Sequence, residues 1–514
     1  MSMADSPCKP IFGAAVPRPP RKARLRSLDR AQSRVVFIDV ERLIADNHPA
    51  RAIWELLGRM DLSPFSEKIK AVEGHAGRPP FDPRLLIGVW TYGLSRGINS
   101  ARQLSELCEW EPGLQWLCAM GSVNYHSLST FRVAHEEALK KLFVNLLAVL
   151  NAEGLIGMER VAVDGTRIVA SCSEDSLRKG DRLEEYLKKA AEHVEAVEGE
   201  AEGEASRREE AARERARRER QERVAAAQEQ FQKLQTERGV AEASKVQVSK
   251  TEPEARVMKL PRGGGFGPAY NLQLATDAKE KIIVAAVLSD CGADTRLLET
   301  VMNEVKQTCG VDPAQVLVDG GYVSAANLAK TEERGVDMVA PPPDMASMVD
   351  KQAQQRGVSE GYRKEAFFYD EQNDAYRCPA GKVLVHIKQR EREGGRLEHE
   401  YRAKRGDCGQ CAHQMECCPT AKTCGRTIVR SEPSKLVNAF REKMKTEPYR
   451  QLYRQRSEVA ETPNAWLKAK FGLRRFRLKG KANATMECLW AVVTYNLKQG
   501  IRLLQPKQAI GATA

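Results

Sequence analysis

The chain has 514 residues, with 81 Lys and Arg against 69 Asp and Glu, a formal charge of +12. That length allows roughly two to four domains with sizeable cores, and no apolar run approaches a membrane span. Thirteen Cys, an odd number in so long a chain, argue against a secreted disulfide framework, so a soluble intracellular protein with reduced thiols is expected. The positive charge is clustered, most densely in residues 18–34 and 465–481, a distribution that suits a polyanion such as nucleic acid.

Residues 1–35 are Pro- and Arg-rich without an apolar signal core and read as a disordered basic arm. Residues 36–150 read as helices. Phe81-Asp82-Pro83 places Pro where a helix starts, and Leu85, Leu86, Val89, Trp90 and Leu94 follow at helical spacing. Gly97-Ile98-Asn99-Ser100 makes a turn and N-cap, and a further helix opens at His126 and carries Arg132. Short helices with tight turns suit a helix-turn-helix-like DNA-binding domain, with Arg132 a candidate contact.

Two short apolar runs each close on an acidic residue, Val161-Ala162-Val163-Asp164-Gly165-Thr166 and Val316-Leu317-Val318-Asp319-Gly320-Gly321. Each predicts a buried strand ending at a turn. A carboxylate there is costly unless neutralised, and two such ends side by side make a cation site. Between them, residues 174–240 are a low-complexity Ala/Glu/Arg stretch. Leu183, Leu187, Ala190, Val194 and Val197, then Val224, Ala227, Phe231 and Leu234, recur at helical spacing around Gly199 and Gly203. That pattern predicts two long helices as an antiparallel hairpin, or a coiled coil shared between subunits. Strands follow at Tyr270–Ala275 and Lys281–Leu288, a helix over Leu297–Thr308, the Asp319 strand, and a helix from Ser324. The alternation indicates an α/β core, 155–173 joined to 241–340. A Cys-containing insertion covers 345–435, a helical segment 436–504, and a tail 505–514.

The segment Tyr453 to Lys468 puts Tyr453, Arg456, Glu461 and Lys468 along one helix, with Pro463 either starting or kinking it. Asp164, Asp319 and Glu461 would hold two Mg²⁺ (or Mn²⁺) ions suited to phosphodiester chemistry. Arg456 and Lys468 would meet phosphate, with Tyr453 positioning the strand. Lys470, Arg474, Arg475 and Arg477 extend that basic surface, interleaved with Trp466, Phe471 and Phe476, aromatics better suited to a core than to base stacking.

In these motifs the chain resembles a bacterial DDE transposase of the IS-five superfamily, most of all the insertion-sequence family eleven-eighty-two type. The resemblance rests on Asp82-Pro83-Arg84-Leu85, the Asp164-Gly165-Thr166 strand, Tyr270-Asn271 with Gln273, Asp319 with Gly321, Tyr322 and Ser324, and Tyr453, Arg456, Glu461 and Lys468, across about 36–503. It implies a ribonuclease H-like catalytic core, double-stranded DNA with terminal inverted repeats as substrate, strand transfer by two-metal catalysis, and a homodimer or larger synaptic assembly on the bacterial nucleoid. Glu458 is the rival third carboxylate, and Glu461 is preferred for its six-residue gap to Lys468. A catalytically silent, domesticated DNA-binding descendant is the alternative.

Cys378, Cys408, Cys411, Cys417, Cys418 and Cys424 form a set of their own. Cys408 and Cys411 have metal-knuckle spacing, and Cys378 with Cys417 or Cys418 would complete a structural Zn²⁺ site, with His413 a substitute ligand.

Overall fold

The computed structural model is a mixed α/β structure organised on one six-stranded sheet. It describes residues 37–67, 69, 79–179, 182–183, 185–186, 188–189, 192, 207–238, 246–342, 353–392, 396–419, 425–432 and 434–504. The basic arm, the 505–514 tail, Cys424, and Leu187, Ala190, Val194 and Val197 of the expected hairpin lie outside the described residues.

The sheet is built on β1 (Arg160–Val169) and β5 (Phe266–Asp277). They pair antiparallel, with Asp164 opposite Leu274 and Gly165 opposite Gln273. On the far side of β5, β4 (Arg256–Lys259) covers its first residues and β6 (Ile283–Ser289) the rest, both antiparallel. On the other side of β1, β7 (Gln315–Leu317) and then β8 (Asp337–Val339) run parallel to it. β5 is buried along nearly its whole length, as a strand covered on both faces must be.

Two expectations change here. β1 does not stop at Asp164-Gly165 but runs on to Val169, so Asp164 stands in mid-strand. Of the two readings of Pro463, a helix start is overturned: the helix spans Glu447–Ala469 with Pro463 buried inside it. Other boundaries fall close to the sequence reading: helices at Pro83–Ser95 capped by Asp82, Ala101–Leu107 capped by Ser100, Leu298–Cys309, and Ala325–Glu333 capped by Ser324.

The N-terminal helices do not form a separate core. One continuous apolar core runs from Ile44 through the sheet to Leu497. The joint is the last helix, Lys481–Leu504, which packs on Pro49–Gly58, Pro83–Ser95, Glu136–Ala152 and β6. Trp490 donates to the Arg132 carbonyl at 3.0 Å, and Asn496 both accepts from Ile283 N (3.0 Å) and donates to its carbonyl (2.8 Å). That pair satisfies the backbone of β6 where no further strand does.

Arg132, expected to face DNA, is instead buried at this joint, 5% exposed. Its guanidinium reaches the fully buried Glu487 carboxylate at 3.5 Å, donates to Asn99 Oδ1 at 2.6 Å and lies over the Trp90 ring. Burial pushes Glu487 up, against Arg132 and the N–H groups of Leu478 and Arg477 that hold its charge. The cation therefore neutralises an internal carboxylate rather than a phosphate.

Of the Ala/Glu/Arg insertion, the described residues between 182 and 192 are helical and a long helix covers Arg207–Arg238; Ala227, Phe231 and Leu234 on that helix pack with Leu183, Val246 and Val248. The insertion leaves and rejoins the sheet side by side, where β2 (Leu177–Arg178) pairs with β3 (Val248–Ser249). Buried Glu252 pins that base, accepting from Cys172 N at 2.9 Å, Tyr270 OH at 3.1 Å and Gly480 N at 3.2 Å. Among the described residues no helix is long and apolar enough to cross a membrane.

Removing one partner of a buried ion pair leaves the other charge uncompensated. Arg132→Ala should therefore cost about 3–5 kcal/mol of stability, read by chemical denaturation. A loss below about 1 kcal/mol, the range of an exposed pair, would show that the pair does not hold the joint.

Candidate active site

The register of β1 on β7 decides which carboxylates meet. Their last paired residues are Ala162 and Leu317, and Asp164 and Asp319 each follow two residues later. Two residues return a strand to the same face, and neighbouring strands lie about 5 Å apart. Asp164 stays within β1 while Asp319 lies just past the end of β7, and the two are near enough that the Asp319 charge pushes the Asp164 carboxyl up.

Asp164 is half-buried and doubly engaged. One oxygen accepts from Arg456 Nη2 at 2.7 Å, the other from Asn464 Nδ2 at 2.8 Å, both from the Glu447–Ala469 helix that packs across β1 and β5. Burial pushes its carboxyl above the usual range; Arg456 pulls it down, and the charges of Asp319 and Asp294 push it up again. Arg456 Nε and Asn464 Oδ1 are buried with no partner, so the two side chains that hold Asp164 have unused polar capacity.

Asp319 caps the turn Gly320–Tyr322 by accepting from Gly321 N at 2.8 Å. That turn buries Tyr322, whose hydroxyl donates to Gln273 Oε1. Burial, then the charges of Asp294, Asp164 and Asp319, push the phenol up, so it stays a neutral donor. Gln273 Nε2 and Asn271 Nδ2, from β5, both donate to Asp294 Oδ1, at 2.8 and 2.7 Å. Thr295 Oγ1 donates to the Gly321 carbonyl at 2.7 Å, tying the Asp294 turn to the Asp319 turn. Gly165 is small for a reason other than a turn: a Cβ there would meet Gln273 Nε2 and stand 2.6 Å from Asp294 Oδ1.

Glu461 does not join this group directly. It is exposed and accepts from Ser457 Oγ at 2.7 Å. It lies three residues before Asn464, about 60° around the helix, so it borders the stripe that faces Asp164. The rival Glu458 is turned away and pairs with Lys281. Among the described residues, no group of three or more His, Cys, Asp or Glu is drawn together closely enough to hold a metal ion.

The other expected contacts divide by position. Tyr453 is half-buried against the core, and Lys468 is half-buried with a partner. Lys470 Nζ lies 3.6 Å from the centre of the Trp466 ring. Phe471 and Phe476 are core residues, and the segment between them runs beside the end of β1, with Phe476 N donating to Val169 O at 2.9 Å. Arg474, Arg475 and Arg477 are exposed there. The residues that the sequence reading passed over are Asp294 and Asn464. Asn464 lies eight residues after Arg456, hence near its helical stripe, and Asp294 opens Asp294-Thr295 before an apolar helix.

A family model described as a transposase DDE domain matches residues 239–497, just over half of the chain. The chain belongs to the DDE transposase family. A second model, a transposase domain (DUF772), matches residues 38–134, the N-terminal helices. No curated protein and no solved structure matches. The DDE match contains Asp319 and Glu461, while Asp164 precedes it on the far side of the helical insertion. Family membership implies an enzyme of transposition acting on DNA, and such transposases typically use divalent metals.

The raised carboxyl of Asp164 has a sign for stability. Folding favours its neutral form, so its contribution is full below the ordinary carboxylate range and is lost as pH rises through the raised value. Asp164→Asn stays neutral throughout. In metal-free buffer its stability should fall less than that of the wild type between mildly acid pH and neutrality, by urea titration at each pH; parallel curves would contradict the assignment.

Proposed function

We propose that this transposase binds terminal inverted repeats of an insertion sequence and catalyses metal-dependent DNA cleavage and strand transfer, with Asp164, Asp319 and Glu461 as its catalytic carboxylates. The observation that carries the proposal is that Asp164 in β1 and Asp319, just past the end of its parallel neighbour β7, each follow the last paired residues of the two strands by two positions, with the Asp319 charge acting on Asp164. The strand order, three antiparallel strands followed by two parallel ones with β1 central, supports a ribonuclease H-like reading of the core. The site's chemistry fits Mg²⁺ or Mn²⁺: its donors are carboxylate oxygens, and Asp164 carries a burial cost that a cation would offset.

When bound, two such cations would activate the attacking oxygen and stabilise the leaving one. Asp164 and Asp319 would hold them, with Glu461 released from Ser457 to complete the set. Arg456 neutralises Asp164 in their absence, and its guanidinium would then be free to turn to a backbone phosphate, its geometry matching phosphate as well as carboxylate. Asn464 keeps the Asp164 carboxylate oriented through its amide. The nucleophile would be water for cleavage and a DNA 3′-hydroxyl for joining, so no protein side chain attacks. Lys468, Lys470, Arg474, Arg475 and Arg477 would carry the flanking DNA beside the end of β1, with Tyr453 positioning the strand. Joining two ends calls for a homodimer or larger assembly on DNA. Nothing in the site favours the catalytically silent alternative.

Asp319→Ala should retain binding to a plasmid bearing the element's ends and lose cleavage and strand transfer in Mg²⁺ by about a hundredfold or more. Undiminished activity in the variant would remove Asp319 from the chemistry; binding without cleavage by the wild type would favour the silent reading.

Replacing Lys470, Arg474 and Arg477 together by Ala should weaken binding to every duplex sequence alike. The slope of log affinity against log salt should fall by about 2–3, near 0.9 for each phosphate that is no longer neutralised. An unchanged slope would place the DNA elsewhere.

A further inference from the structure

The Cys-containing insertion folds as a unit with its own sheet. β9 (Phe368–Asp370), β10 (Ala375–Arg377), β11 (Val383–Arg392), β12 (Arg396–Ala403) and β13 (Thr427–Glu432) pair antiparallel in chain order. Beneath them the buried core is Phe367, Tyr376, Leu384, Tyr401, Ala403 and Ile428. A core of six residues is too small to offset the ordering of some 70 residues, and units of this size generally add disulfides or a structural metal. Its described Cys are all free, which leaves the metal.

The thiols are gathered for one. Cys378, Cys408, Cys411, Cys417 and Cys418, with His413, line one cavity of about 20 Å³. Cys378, Cys408 and Cys417 also pack on the edge of the small core, which Cys418 does not. Two of the sulfurs already accept backbone donors: Lys382 N at 3.2 Å on Cys378, and Arg426 N at 3.3 Å on Cys408. Amide donors favour a thiolate over a thiol, and such contacts orient Cys ligands at metal centres. Cys378 sits in a tight turn, its N–H donating to Lys382 O at 2.9 Å and its carbonyl accepting from Gly381 N at 2.9 Å. Gly381 takes φ +75° there, a conformation that suits glycine. Cys408 and Cys411 are joined by a turn of their own, Cys411 N to Cys408 O at 3.3 Å. His413 is otherwise engaged, stacked on Tyr362 and 3.9 Å from the Glu416 carboxylate.

We propose that Cys378, Cys408, Cys411 and Cys417 bind one Zn²⁺, which staples this insertion to a single fold. As protonated thiols the four do not converge on a point. They share one cavity, and binding would draw the four sulfurs in to Zn–S distances of about 2.3 Å. Each thiol that ligates gives up its proton to solvent, so binding strengthens with pH and contributes directly to folding. Four sulfur ligands close the coordination shell and leave no position for substrate. The site is structural, and its occupancy does not depend on the DNA chemistry proposed above.

The test is metal analysis of the full-length reduced chain after exhaustive dialysis against metal-free buffer. The wild type should retain about one zinc per chain, and Ser at Cys378, Cys408, Cys411 or Cys417 should lower that at least fivefold, while Cys309→Ser and Cys418→Ser keep it. Should the Ser variants not fold, the wild type is titrated with a mercurial in the presence of a chromogenic zinc chelator. Zinc release in step with modification of about four thiols supports the site. A wild type that holds no zinc and takes up none when Zn²⁺ is added overturns the proposal. Zinc kept by Cys417→Ser and lost by Cys418→Ser overturns the choice of the fourth ligand.

Discussion

Asp164 is a half-buried carboxylate in the middle of a strand, and the elements around it are arranged to tolerate it. β5 pairs with β1 through Asp164 and beyond, while β7 pairs with β1 only as far as Ala162. An unpaired charge in that position would be expelled or neutralised. The Glu447–Ala469 helix supplies Arg456 and Asn464 to its two oxygens, which fixes how that helix lies on the sheet. The cost is not cancelled, because the carboxyl still sits above its ordinary range. On the function proposed above, a cation beside Asp164 and Asp319 would offset it.

The second ring of side chains keeps these charges apart and in place. Tyr322, Gln273, Asn271 and Asp294 form one hydrogen-bonded chain beneath the two catalytic candidates, drawn from β5 and from two turns. Gln273 is its pivot, since it accepts from Tyr322 and donates to Asp294 at the same time. A buried network of this kind is rigid only if every member is satisfied. The same chain explains the missing side chain at Gly165, where any Cβ would enter the amide of Gln273.

Much of this arrangement was legible in the sequence, because periodicity and caps are local. Asp82, Ser100 and Ser324 each cap the helix they precede, as their residue types demand. The two apolar runs before Asp164 and Asp319 are strands for the reason expected, burial on both faces. What misled were signals whose local meaning is overridden by distant partners. Asp164-Gly165 reads as a turn, yet β5 pairs across it and carries the strand on. Pro463 reads as a helix start or a kink, and the start is overridden: the helix passes through it, with Val459, Ala460 and Leu467 buried beside it. Arg132 reads as a surface cation because its partner, Glu487, is 355 residues away and no spacing rule reaches that far. Asp294 was invisible for the same reason, since its meaning comes from two side chains on another strand.

The two insertions follow from where the sheet can be interrupted without moving those carboxylates. Closing a loop costs entropy that grows only slowly with its length, so what matters is how near its ends lie, not how much chain lies between. The helical insertion satisfies this strictly: β2 and β3 pair at its neck, Leu177 opposite Ser249, and Glu252 binds that neck to β5 and to the 470–480 segment. The Cys-containing insertion begins after β8, the outermost parallel strand, and ends at the Lys435–Lys445 helix. That helix returns to β8 through Lys443, whose ammonium meets Asp337 at 2.6 Å and the Met338 carbonyl at 3.1 Å. In both cases the chain departs and comes back at nearly one place on the frame. Neither insertion interrupts β1, β5 or β7, so the strand pairing that leads into Asp164 and Asp319 does not depend on what the insertions carry.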